Sequence, residues 1–77
     1  MDSNTNDYSK LLGLMKEKGI NQIDMASELG ISASTLSLKI NNKADFKLSE
    51  IKKVCYLLQI EPIEIGKYFF NSKVQKN

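Results

Sequence analysis

Gln22-Ile-Asp-Met-Ala-Ser-Glu-Leu-Gly-Ile-Ser-Ala-Ser-Thr-Leu-Ser-Leu-Lys-Ile-Asn-Asn-Lys43 holds two short amphipathic segments joined at Leu29-Gly30-Ile31-Ser32. Glycine enters the left-handed backbone region at little steric cost, so Gly30 supplies a sharp turn. Ser32 then offers a side-chain oxygen to cap the segment that follows it. Small polar residues cover the outer face of that second segment. Two helices crossing over such a turn form a helix–turn–helix.

Working outward, the flanking sequence is helical as well. Tyr8, Leu11, Leu12 and Met15 make one apolar stripe, with Asp7 as its N-cap and Gly19 as its stop. Each later helix start pairs an apolar residue before the cap with one five positions on, the arrangement of a hydrophobic staple. Ile20 and Met25 bracket Asn21, and Ile31 and Leu36 bracket Ser32. Phe46 and Ile51 bracket Lys47, with Glu50 in the first turn; Ile60 and Ile65 bracket Glu61, with Pro62 at the first helical position. The expected helices are 8–18, 22–29, 33–41, 48–59 and 62–70. Ile51, Val54, Cys55 and Leu58 line one stripe of the fourth, which makes Cys55 a small core residue. No segment alternates as a strand does, so the expected class is all-α, a compact five-helix domain. Its expected bounds are residues 8–71, between a flexible N-terminal segment (1–7) and a flexible C-terminal tail (72–77).

Bulk composition excludes several classes. The chain has 77 residues, 42% hydrophobic and 26% charged, which suits one small globular domain. No apolar run is long enough to span a membrane, and the polar, acidic start does not resemble a secretory leader. A bacterial host cytoplasm, in association with the nucleoid, is the expected location. Cys55 is the one cysteine and there is no histidine, so neither a disulfide nor a thiolate metal cluster is expected. Cofactors, metals and small-molecule ligands are not expected, nor is enzymatic activity, since Cys55 has no evident activating base. The net charge of +2 is carried against nine acidic residues by eleven lysines with no arginine. That excess does not by itself argue for nucleic acid.

The span from Leu11 to Ile65 resembles the Cro/C1-type (XRE-like) helix–turn–helix family of small phage Cro-like or repressor-like regulators. The resemblance rests on Gln22, Met25-Ala26, Leu29-Gly30, Ile31, Ser32, Leu36 and Asn41-Asn42-Lys43. The sequence departs from the pattern at Lys39, where an apolar residue is usual, and at Asn42, where Gly is usual. Ile40 is placed to take over the packing of Lys39 through its i,i+4 relation to Leu36, and Asn also visits the left-handed region. The resemblance implies a λ-repressor-like fold and sequence-specific binding to double-stranded operator DNA, with helix 33–41 in the major groove.

A helical wheel at ~100° per residue places Leu36 and Ile40 inward and Ser34, Leu38 and Asn41 outward. By the family pattern, Ala33, Ser34, Thr35, Ser37 and Leu38 are the candidate base readers. Their hydroxyls and methyls suit several bases and the thymine methyl, without a bidentate contact, so an A·T-biased readout with a large share of DNA shape is expected. Gln22, Lys39, Asn42, Lys43 and Lys47 are the candidate phosphate contacts. One such module binds weakly, and proteins of this motif usually occupy palindromic sites as dimers. Ile63, Tyr68 and Phe70 are the candidate surface for a weak homodimer, possible on DNA. Two alternatives stay open: a restriction–modification controller or antitoxin of the same fold, and a protein–protein module that has lost DNA binding.

Overall fold

The computed structural model describes residues 6–72. Five α-helices follow one another: α1 (Ser9–Glu17), α2 (Gln22–Leu29), α3 (Ala33–Ile40), α4 (Leu48–Leu58) and α5 (Ile65–Phe69). The all-α expectation holds, and no strand longer than an isolated bridge is present among the described residues.

Local chemistry sets the helix ends. Asn21 Oδ1 accepts the Asp24 amide at 2.8 Å and Ser32 Oγ accepts the Thr35 amide at 3.1 Å, each satisfying one of the free N–H groups of a first helical turn. The first four helices all leave through a left-handed residue: Gly19, Gly30, Asn42 and Gln59. In each case the next amide reaches back to close the helix end, as Ile20 N–H does to the Met15 carbonyl (2.9 Å) and Ile31 N–H to that of Ala26 (3.0 Å). Gln59 takes this conformation without being Gly or Asn, at φ 58°.

The fifth helix differs from the single span expected over 62–70. Pro62–Glu64 form a 3₁₀ turn, and α5 begins only at Ile65. Glu64, at φ −103° and ψ 1°, departs from α geometry, and its amide donates to the Glu61 carbonyl three residues back.

Leu11, Met15, Met25, Leu36, Val54, Leu58 and Phe69 fill the core. Each fully buried Leu or Phe contributes about 1.5–3 kcal/mol relative to exposure. The staple residues Ile20, Ile31, Phe46 and Ile65 pack on the core edge, which is why the corresponding starts are so regular. Tyr8, Phe46 and Phe69 meet edge to face, with centroids 5.3 to 6.3 Å apart. This trio ties α1, the loop before α4 and α5 together.

Asn6 and Asp7 depart from the flexible segment expected over 1–7. The Asp7 amide donates to the Asn71 carbonyl at 2.6 Å, and Asn6 forms an antiparallel bridge with Ser72. Tertiary hydrogen bonds thus extend the ordered unit at both ends, and the remainder of both flanking segments lies outside the described residues.

Candidate nucleic-acid interface

α2 and α3 cross over Gly30, whose φ of 73° makes the turn. Ala26 is buried where the two helices meet, and its methyl permits the close approach. Leu36, 1% exposed, and Ile40 hold α3 down, as the wheel placed them. The opposite side of α3 faces solvent: Ala33, Ser34 and Asn41 are exposed, Leu38 is 49% exposed, and Thr35 and Ser37 are half-buried. All five candidate base readers therefore share one accessible side or its flanks.

Hydroxyls along this face are partly engaged. Ser32 Oγ donates to Thr35 Oγ1 at 2.9 Å and lies 3.4 Å from Ser34 Oγ. Asn41 Nδ2 donates to the Ser37 carbonyl at 2.9 Å, so that amide closes the helix end. Thr35 retains its own hydroxyl proton and its methyl for an outside partner. Leu38 is available for contact with a thymine methyl or with another apolar group.

Two candidate phosphate contacts are corrected. Lys39 is 5% exposed, and its Nζ lies 2.6 Å from Oε1 of Glu50, itself 6% exposed. Its position on the inner side of α3 buries the ammonium, and the carboxylate on α4 satisfies it there. Asn42 is the second. Its Oδ1 accepts the Asn6 amide at 2.9 Å and its Nδ2 donates to the Asn6 carbonyl at 2.8 Å. The side chain thus acts as one rung of a strand ladder. Gln22, Lys43 and Lys47 remain exposed around α2, α3 and the loop between α3 and α4.

Glu50 is the residue that sequence reasoning undervalued. Besides Lys39, its Oε1 accepts the Lys47 amide at 2.8 Å, and so caps α4 from within. Burial pushes the Glu50 carboxyl upward, but the hydrogen bonds from Lys39 and from the Lys47 amide, with the charges of those two lysines, outweigh it and hold the carboxyl below its ordinary value. The signal in the sequence was a lysine flanking the inward Leu36 and Ile40 of α3, which calls for a carboxylate to meet it.

Elsewhere the surface carries isolated apolar groups. Ile63 is 90% exposed and Phe70 63% exposed, while Tyr68 is half-buried against the core. These three candidate dimer residues lie on the 3₁₀ turn (Ile63), on α5 (Tyr68) and at the C-cap of α5 (Phe70). Cys55 is half-buried on α4, and burial pushes its thiol up, away from the reactive thiolate. Among the described residues no group of His, Cys, Asp or Glu could hold a metal ion, and no helix is long and apolar enough to cross a membrane.

Comparison with known proteins adds a setting. Residues 4–72 match the family described as Protein of unknown function (DUF739). None of the curated proteins matches the chain. Among solved structures, the chain is similar to the modulator of repression (MOR) of the temperate bacteriophage TP901-1 from Lactococcus lactis, determined in solution. The two are 46% identical, over 91% of this chain and 95% of that one, with a TM-score of 0.73. The likeness is to a phage regulator, and it runs over nearly the whole of both chains.

Proposed function

We propose that this chain, which belongs to the DUF739 family, is a regulator in a phage repression circuit and binds operator DNA with α3 in the major groove. The observation that carries this reading is the α2–α3 frame. Gly30 turns, Ala26 lets the helices approach, Ser32 caps and Leu36 anchors, so that Ala33, Ser34, Thr35, Ser37 and Leu38 are presented together. Their hydroxyls and methyls match the polar edges and thymine methyls of A·T-rich sequence. Gln22 at the start of α2 meets a phosphate with its amide and the free N–H groups there, while Lys43 and Lys47 hold the backbone on the other side.

The electrostatics limit what one copy can do. With Lys39 and Asn42 committed inside the protein, two lysines remain in the phosphate set. Each neutralised phosphate contributes about −0.9 to the slope of log K against log salt, so one copy has a slope of about −2. That is shallow for a specific reader. A second copy joined through Ile63, Tyr68 and Phe70 would double it and set half-sites about one helical turn apart. The related phage protein is a modulator of repression, a role that can be exercised at the operator or on the repressor itself.

A second reading, in which the α3 face docks on another protein, is favoured by a specific observation. Leu38 and Leu48 are exposed at 49% and 67%, on α3 and at the start of α4, beside a lysine withdrawn from the surface. Selection of bound sequences from a random duplex pool, followed by a salt titration of the selected duplex, separates the two. Enrichment of a symmetric, A·T-rich site whose affinity falls with a slope of about −2 per copy supports operator binding. A pool that emerges unenriched rejects it in favour of protein docking.

A further inference from the structure

Lys39 and Glu50 are the buried charged residues among those described. Such a pair is a poor source of stability: removing two charges from water costs about as much as their attraction returns, and apolar pairs of similar volume are often as good or better. Position 39 lies beside the buried, apolar Leu36 and Ile40 on the inner side of α3, so the packing there has no need of a charge. The ion pair does supply direction. A methylene contact tolerates sliding and rotation, whereas an Nζ–Oε1 separation of 2.6 Å fixes where two elements meet.

Those elements bear on the reading face. α3 packs chiefly against α2 and touches α4 little. Its inner side is tied to α4 by Lys39, and the same Glu50 oxygen holds the Lys47 amide at the end of the loop that carries Lys43. One carboxylate therefore joins α3, the phosphate-contacting loop and the first turn of α4. A rotation of α3 by about 10° would carry side-chain tips, some 5–6 Å from the helix axis, through about 1 Å. That is enough to lose a hydrogen bond to a base edge.

We infer that Lys39 and Glu50 are positioning residues, a buried strut that fixes the angle at which α3 presents Ala33, Ser34, Thr35, Ser37 and Leu38. The inference rests on the α3 face being the binding face, and it assigns that face's selectivity in part to two residues that touch no ligand. Because the strut sits beneath the helix, its loss loosens the face without removing any group from it.

Two variants of the full chain test this. Lys39→Met/Glu50→Leu replaces the strut with apolar volume. Lys39→Met/Glu50→Gln removes the charges but leaves an acceptor for the Lys47 amide, and it serves if the first variant does not fold. Residual dipolar couplings of backbone amides report the angle between α3 and the rest of the protein without any ligand. The expected result is that couplings across Ala33–Ile40 change beyond measurement error while those of α1 and α5 do not. Unchanged α3 couplings in a folded variant overturn the inference, whether or not wild type selects any DNA. Enrichment from a random duplex pool is the second readout: the variant is expected to lose about tenfold in preference for the wild-type site, with thermal stability equal or greater. Full retention of that preference also overturns it. Failure of wild type to enrich any duplex rejects operator binding instead, and the couplings still decide the positioning.

Discussion

Asn42→Gly is expected to destabilise the protein, although the backbone at φ 63° suits glycine better than asparagine. Relief of the left-handed conformation is worth at most about 1 kcal/mol, because Asn already tolerates it. Against that stand the two hydrogen bonds between the Asn42 side chain and the Asn6 backbone, at 2.9 and 2.8 Å. Each contributes about 1 kcal/mol net, and because Asn6 is half-buried its freed N–H and carbonyl can turn to water, which keeps the loss near about 2 kcal/mol in total. The balance is a loss of roughly 1–2 kcal/mol, or roughly 4–16 °C in Tm for a domain of this size. Urea unfolding followed by circular dichroism measures it, with the same substitution repeated in a chain shortened to begin at Asp7. In the shortened chain the partner is gone, so Asn42→Gly should become neutral or stabilising. An equal loss in both chains, or a gain in the full chain, would show that the Asn6–Asn42 pairing contributes nothing and that the reasoning is wrong.

Other perturbations have defined outcomes. Lys39→Ala should cost about 3–5 kcal/mol in urea unfolding, since it leaves the Glu50 charge buried without its counter-charge, while the paired replacement Lys39→Met/Glu50→Leu should be neutral or stabilising. Acid should weaken the fold with the opposite sign to a histidine switch. The Glu50 carboxyl is held below its ordinary value, so its contribution is complete above the unfolded-state pKa and is lost as pH falls through the lower folded value; Glu50→Gln should flatten that part of the pH–stability curve. Leu36→Ala should cost roughly 2–5 kcal/mol, because the side chain is fully buried between α3 and the core. Lys43→Ala should weaken binding to all duplexes alike and flatten the salt slope by about one unit, whereas Leu38→Ala should change which site is preferred.

The helix frame was legible because it is written locally. Caps at Asn21 and Ser32, stops at Gly19 and Gly30 and the four staples act within one or two turns, so their spacing survives in the sequence. Leu36 and Ile40 could be placed inward from periodicity alone. The two misplaced phosphate candidates share a different property: each depends on a contact between residues distant along the chain. Lys39 looked like a surface cation until Glu50, eleven positions on, was found beneath it. Asn42 looked like a phosphate ligand because its partner, Asn6, lies 36 positions away in a segment with no periodic signal of its own. The fifth helix was too long by a 3₁₀ turn because Pro62 suits the first position of either helix type. The reading face itself was legible in identity but not in availability, since hydroxyl pairing among Ser32, Ser34 and Thr35 is a matter of rotamers.

Amide chemical-shift mapping of the uniformly ¹⁵N-labelled protein, titrated with the duplex enriched from a random pool, tests the proposed DNA-binding face most directly. Perturbations concentrated on Ala33, Ser34, Thr35, Ser37 and Leu38, with smaller ones at Gln22, Lys43 and Lys47, are the predicted result. Perturbations confined to Ile63, Tyr68 and Phe70, or none up to saturating duplex, would contradict it.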